Sequence, residues 1–277
     1  MSQIHLFEHD AMKTTFTLRL KTDDSELAQN IAHDCIRQLN EMEAQLSRYV
    51  EGGDIWKINR MQAGETLFLS DTCYECLKIA LDAYIETGGL FDITLGRQIQ
   101  HRKNKENGPA PEISGQLMLD PDRPAIHCAE AGRELDLGGI GKGFTLDKML
   151  MRIQEWGKLD SALLSAGASS QLAYGPSASK IRLSGDHGNQ VIQLHNQALS
   201  ASGTGIQGNH IVSSRAVDVN YSYPRIWVVD STATSAEIWS TAALLMNNDE
   251  LQMLAKTMPH LIVDDPETGT LHELGVS

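Results

Sequence analysis

The run RELDLGGIGKGFTLDKML, residues 133–150, concentrates much of the chemistry this chain offers. Gly138, Gly139, Gly141 and Gly143 fall within six positions, with Asp136 just before them and Lys142 among them. Glycine has no Cβ, so a ligand can come close to the main chain there, and N–H groups at a helix start favour an anion. A phosphate suits that arrangement. The same run also reads as a tight strand-to-helix turn whose glycines serve packing alone. Two phosphate-binding patterns are excluded. Lys142 is followed by Gly143 where a Walker loop needs Ser or Thr, and GGIGKG does not satisfy the GxGxxG of a dinucleotide fold.

Cys73 and Cys76 form a CxxC, but no second pair completes four metal ligands. With Cys35 and Cys128 they read as reduced thiols. Apart from His210, the histidines show no metal-ligand spacing. The chain has 277 residues, 41% of them hydrophobic and 21% charged, enough to bury a sizeable core. Its net charge of −13 argues against a general nucleic-acid binder, which needs a basic face. MSQIHLFEHDAMKTTF lacks the pattern of a signal peptide, and no apolar run is long enough to span a membrane. The expected compartment is the cytoplasm.

N-terminal to the glycines, TTFTLRLK (14–21) alternates as a strand. A long helix follows, with Leu27, Ile31, Cys35, Leu39, Met42 and Leu46 on one face. A short helix lies near 55–60 and a short strand at ETLFLS. Thr72 and Glu75 read as a capping box for a second long helix running to about Thr87, its apolar face Leu77, Ala80, Leu81 and Tyr84. HRKNKENGPAPEISG (101–115) reads as a polar surface insertion. Strands are expected near 125–128, 133–136, 161–165, 171–174, 180–184, 190–194, 210–212, 225–230 and 261–264. Helices are expected near 143–156, 235–246 and 249–257. The class is α+β, two long helices on mixed, largely antiparallel sheets.

LDLGGIGKGFTLDKM resembles the LDLGGIAKGYAVD element of the FAD:protein FMN transferases, the ApbE-type flavin transferases. Further segments are similar in the same order. AMKTTF resembles the family's MGTTF, LSRYVEGGDIWKINR its STYxxxSELSxIN, and GGLFDITLG its GAFDxTxG. ALSASG resembles AVATSG, HIVSSR stands where the family has HIxDPRTG, and SAEIWSTAALLM resembles ADALATALFVLG. The resemblance implies the family's α+β fold over residues 1–277 as one domain of two N-terminal long helices and two lobes, with FAD between them. It implies Mg²⁺-dependent cleavage of FAD, transfer of FMN to a Ser or Thr of a target flavoprotein, and release of AMP.

Residue by residue, the resemblance implies a metal site at Glu237 and Thr241, with carbonyls of Gly139 and Ser240. Glu237 and Thr241 lie four apart near a helix start and so share a face. It puts Met12, Tyr49, Leu90, Phe91, Asp92, Asp136, Lys142 and Ile211 on the FAD side. Phe91 also reads as core, and Asp92 with Thr94 as a turn-fixing pair. It makes His210 the group that takes or orients the acceptor hydroxyl's proton.

Three segments depart from the family pattern. HIxDPRTG has become HIVSSRAV, with Ser213 and Ser214 replacing the Asp-Pro pair. NIGGE has become SAGASS, with Ala168 and Ser169 replacing Gly and Glu. The family's Asp is Glu237 here. All three fall on the ligand side, which leaves open a relative that binds FAD or another nucleotide without transfer, or an FAD pyrophosphatase. SAGASS looks like an acceptor sequence, but its place in the collinear match makes it an internal strand and loop.

Overall fold

The computed structural model describes residues 2–204, 221–258 and 260–275. In chain order the elements are β1 (Gln3–Ala11), β2 (Thr14–Thr22), α1 (Ser25–Leu46), α2 (Asp54–Ile58), β3 (Thr66–Phe68), α3 (Asp71–Glu86) and α4 (Gly96–Lys103). Next come β4 (Gln116–Leu119), β5 (Ala125–Glu130), α5 (Gly141–Trp156), β6 (Ser161–Ala166), β7 (Ser170–Tyr174), β8 (Ser179–Ser184), β9 (Asn189–Leu194) and β10 (Ala198–Gly203). Beyond residue 220 lie β11 (Arg225–Asp230), α6 (Ala233–Leu244), α7 (Asn248–Leu254), β12 (His260–Asp265) and β13 (Thr270–Glu273). The described chain divides into two compact units. One draws on residues 2–40, 142–204, 221–258 and 260–275, the other on 41–141.

The first unit is built on an eight-stranded antiparallel sheet in the order β1-β2-β6-β7-β10-β11-β12-β13. Alternation in β2 sends Phe16, Leu18 and Leu20 to one face, all fully buried. There they pack with Ile31, Cys35 and Leu39 of α1 and Leu146, Met149 and Ile153 of α5. Each such side chain contributes about 1.5–3 kcal/mol through burial. The β8–β9 hairpin supplies Ile181, Leu183 and Leu194 to a second cluster with Leu199, Trp227 and Ile262. Asp264, fully buried, ties down the hairpin's turn by accepting from the main-chain N–H of Asp186 and His187.

The second unit carries a three-stranded sheet, β3-β5-β4, with α2, α3 and α4. The start of α3 is capped by Ser70, whose hydroxyl accepts from Cys73 N–H. Ser70 itself donates its N–H and its hydroxyl to the buried carboxylate of Asp54 at 2.8 and 2.7 Å. The expected cap at Thr72 is therefore two residues late. The buried face of α3 is Cys73, Cys76, Leu77, Ala80 and Ala83, while Leu81 and Tyr84 are exposed.

The expected strand at 133–136 is absent. A single parallel bridge joins Leu95 to Glu134, with Gly96 N–H donating to the Glu134 carbonyl at 2.9 Å and Asp136 N–H to that of Ile93 at 2.8 Å. Between them Asn59 donates to the Leu135 carbonyl at 2.9 Å and accepts its N–H at 2.7 Å. Residues 101–103 belong to α4, and 104–115 form turns and coil. The strand expected at 210–212 lies outside the described residues. β1, α4, β4 and β13 were not expected, and β10 was marked only by its resemblance to AVATSG; the other elements stand where the pattern put them, to within about three residues.

Candidate functional site

In the second unit, Leu135, Asp136 and Leu137 are buried immediately before the glycines. Asp136 Oδ1 accepts the N–H of Gly138 at 2.8 Å, closing a local turn. A Cβ on Gly138 would lie 2.9 Å from that same oxygen, so a larger residue there would have to push the Asp136 carboxylate aside. Asp136 Oδ2 faces two cations, Lys103 Nζ at 3.3 Å and Arg48 Nη1 at 3.5 Å. Burial pushes this carboxyl's pKa up, but Lys103, the Gly138 N–H and Arg48 together hold it below the ordinary value. Arg48 also donates to the Gly96 carbonyl at 2.8 Å and pairs with Glu134 at 2.5 Å. The glycine run is thus anchored by a buried acid carrying its own counter-charges.

The other residues expected on the FAD side of this unit differ in accessibility. Tyr49 is 47% exposed and its hydroxyl donates to Gln100 at 3.1 Å. Leu90 and Phe91 are buried in the core. Asp92 accepts the N–H of Thr94 at 2.8 Å, the turn-fixing contact the pair suggested. Gly139 sits in the glycine turn and is half-buried.

In the first unit, Ala11 pairs with Thr14, leaving Met12 and Lys13 as a two-residue hairpin loop. Both have left-handed backbone, φ 51° and 59°. Such a loop favours Asn or Gly, and strained non-glycine residues of this kind concentrate at functional positions. Lys13 occupies the position of the glycine in the MGTTF pattern. Met12 is half-buried against the core, and its sulfur receives the Thr145 hydroxyl at 3.7 Å.

The start of α6 is organised by Asp147 of α5. Its Oδ1 accepts the N–H of Ala233, and its Oδ2 accepts both the N–H and the hydroxyl of Thr234, at 2.8, 2.8 and 2.5 Å. Burial raises the pKa of this carboxyl despite those donors. One turn on, Glu237 is almost wholly buried. Its Oε1 pairs with Lys142, and its Oε2 accepts the N–H of Gly143 at 2.6 Å. The Ser240 and Thr241 hydroxyls donate to the Glu237 carbonyl at 3.1 and 2.9 Å. The hydroxyl of Ser202, on β10, lies 3.1 Å from that of Ser240 and 3.4 Å from that of Thr241.

The first unit thus gathers Lys142, Glu237, Ser240 and Thr241, with Met12 beside Thr145. Asp136, Gly139, Tyr49, Leu90, Phe91 and Asp92 belong to the second. His210 and Ile211 lie outside the described residues. Sequence reasoning missed Arg48, Lys103, Asp147 and Ser202. Only Asp147 left a local signal, as the acid one turn into the helix after the glycines.

The Glu237 donor set consists of hard oxygens, a carboxylate and hydroxyls, which fits Mg²⁺ by chemistry. Lys142 is the cation that the carboxylate already holds. Among the described residues no cluster of three or more His, Cys, Asp or Glu side chains could hold a metal without other donors. Among the described residues, each unit holds a concavity. One of about 350 Å³ is in the first unit and is lined by Thr17, Arg19, Ser165, Gln171 and Arg182 among others. The other, about 150 Å³, is in the second and includes Asn59, Arg97, Arg133 and Glu134. Neither contains a residue expected at the site. No helix among the described residues is long and apolar enough to cross a membrane.

The chain is 22% identical over 252 residues to a FAD:protein FMN transferase of Buchnera aphidicola subsp. Schizaphis graminum, covering 79% of this chain and 74% of that protein. Its fold is similar to that of the flavinyl transferase ApbE of Pseudomonas stutzeri, with a TM-score of 0.82 at 17% identity, covering 99% of this chain and 95% of the other. The ApbE protein of Thermotoga maritima gives 0.83 at 18% identity, covering 99% and 97%. The flavin transferase ApbE of Vibrio cholerae gives 0.80 at 17%, covering 99% and 97%. Residues 12–263 match the model of the ApbE family. With a match over most of its length, the chain belongs to the ApbE family.

Proposed function

We propose that this chain is a cytoplasmic, Mg²⁺-dependent FAD:protein FMN transferase, working as one domain over residues 1–277 with 101–115 as a surface insertion. The hydroxyl oxygen of a Ser or Thr on a target flavoprotein forms a bond to the FMN phosphorus of FAD. The bond from that phosphorus to the pyrophosphate bridging oxygen breaks, and AMP leaves with that oxygen. His210 takes the hydroxyl's proton.

When bound, Mg²⁺ supplies charge neutralisation at the pyrophosphate oxygens. The residues that would hold it are the Glu237 carboxylate, the Thr241 hydroxyl and the carbonyls of Gly139 and Ser240. Lys142 serves the phosphates. Met12 and Tyr49 offer surface to planar rings. Leu90 and Phe91, both buried, and Ile211 are the remaining residues of the FAD side. Asp136 and Asp92 hold the loops that present main-chain N–H groups to the ligand.

The observation that carries this reading is the buried Glu237 carboxylate, set one helical turn from the Thr241 hydroxyl in a member of this family. The departures at Ser169, Ser213, Ser214 and Glu237 keep two other products in view, and product analysis separates all three. Incubation with FAD, Mg²⁺ and an acceptor flavoprotein is expected to give a flavin-bearing peptide and AMP by mass spectrometry. Free FMN with AMP would mean a pyrophosphatase, and unreacted FAD a binding protein. His210→Ala is expected to cut transfer with FAD still bound, and EDTA to stop transfer.

A further inference from the structure

We infer that Lys142 is the resident counter-ion of Glu237, and that a divalent cation gains this carboxylate by displacing the lysine ammonium. The inference rests on the reading of Glu237 as a metal ligand.

The Glu237 side chain is 4% exposed, and a buried carboxylate needs a compensating charge. Two neighbouring residues at the start of α5 supply its donors, and they differ in freedom. The N–H of Gly143 is main chain, fixed by the helix, and holds Oε2 at 2.6 Å. That backbone also lies tight against α6: a Cβ on Gly143 would fall 2.2 Å from the Ala233 carbonyl oxygen. Lys142 reaches Oε1 with a flexible side chain that is 22% exposed. Exchange is therefore confined to Oε1, whose donor can swing away, while Oε2 stays anchored.

A dication and an ammonium on one buried carboxylate would repel each other strongly in a medium of low dielectric constant. They are alternative occupants. The hydroxyl of Thr241 donates its proton to the Glu237 carbonyl, leaving oxygen lone pairs for an incoming cation. The released ammonium then has the pyrophosphate oxygens as its new partner. FAD should therefore tighten metal binding, because it receives the lysine that the metal expels.

Mn²⁺ serves as the probe, its binding followed by calorimetry and electron paramagnetic resonance on the full chain. Without FAD, Lys142→Met is expected to bind Mn²⁺ about tenfold more tightly than the natural protein, since the competing ion pair is gone. Lys142→Arg, which keeps the charge, is expected to stay near the natural affinity. Glu237→Gln is expected to weaken Mn²⁺ in both backgrounds. If Glu237→Gln weakens binding but Lys142→Met leaves it unchanged or weaker, the exchange is wrong and the metal site stands. If Glu237→Gln has no effect, the metal reading falls and the exchange with it. The unmutated protein gives a second test that needs no variant to fold. Labelling of Lys142 by an amine-reactive reagent, read by mass spectrometry, is expected to rise several-fold when Mn²⁺ is added. Unchanged labelling at saturating Mn²⁺ would overturn the proposal.

Discussion

The main-chain N–H of Gly143 donates to the carboxylate of Glu237 at 2.6 Å, joining residues 94 positions apart in the chain. The start of α5 and the first turns of α6 meet there with no room for a side chain. Gly143→Ala would place a methyl 2.2 Å from the Ala233 carbonyl oxygen and 2.6 Å from its carbon. Backbone of a capped helix cannot yield cheaply, so the substitution is expected to cost about 2–3 kcal/mol. Gly141→Ala is the control, since its Cβ would meet only Leu137 Cβ at 3.9 Å. Urea unfolding should show a large loss for the first and a change under about 1 kcal/mol for the second. Equal losses would mean that close approach is not what Gly143 provides.

A second test concerns the loop between β1 and β2. Lys13 holds φ at 59°. Lys13→Gly removes the Cβ penalty of the left-handed region but adds freedom to the unfolded chain. In this strained two-residue loop the first effect should win, giving a gain of about 0.5–1 kcal/mol. Lys13→Val, β-branched, should lose more than that. The check is the unfolding midpoint of the three proteins in one buffer. A destabilised Lys13→Gly would mean that the lysine side chain contributes more than its conformation costs.

Much of the scaffold can be read from the sequence because its apolar spacing is regular. The face of α1 from Leu27 to Leu46 is one example, and the alternation in β2 another. β1 hides because its outer face carries the aliphatics: Ile4 is 63% and Leu6 57% exposed, while His5 and His9 are half-buried. α4 hides because it buries only Gly96 and Gln98 and so has no apolar period. Residues 133–136 alternate like a strand, yet their partners are two main-chain bonds to residues 93–96 and the Asn59 side chain instead of a full neighbouring strand. The acids of the candidate site are visible as acids. Their partners are not: Arg48 lies 88 positions from Asp136 and Lys142 lies 95 from Glu237, so only the fold pairs them.

Asp136 should leave a mark on stability against pH. Its carboxyl is held below the ordinary value of 3.8, so the folded state favours the charged form. The stability it contributes is present in full above the unfolded value. It is lost as pH falls through the lower folded value. Asp136→Asn leaves Arg48 and Lys103 without their shared acceptor and is expected to cost about 2–4 kcal/mol at pH 7. The gap between the two proteins should stay constant from pH 7 to about 4.5, then close as pH falls below the ordinary carboxylate value. Urea titrations at intervals from pH 7 to 2.5 measure it. A gap that persists unchanged at the acid end would mean that the aspartate acts through shape and not charge.

Thr241→Ala separates the candidate metal role from the scaffold. The Thr241 hydroxyl donates to the Glu237 carbonyl one turn back, a bond that a helix forgoes with little effect on its stability. Alanine is also the better helix former, so folding stability should stay within about 0.5 kcal/mol. If the hydroxyl oxygen is a metal ligand, the apparent Mg²⁺ requirement for transfer should rise about tenfold or more, as loss of one oxygen donor implies. FAD affinity measured in EDTA should change less than about twofold, because that binding does not pass through the metal. Fluorescence quenching of FAD and a Mg²⁺ titration of FMN transfer give the two numbers on one preparation. Loss of FAD affinity in EDTA equal to the loss in Mg²⁺-dependent transfer would place Thr241 against the flavin nucleotide and take the hydroxyl out of the metal site.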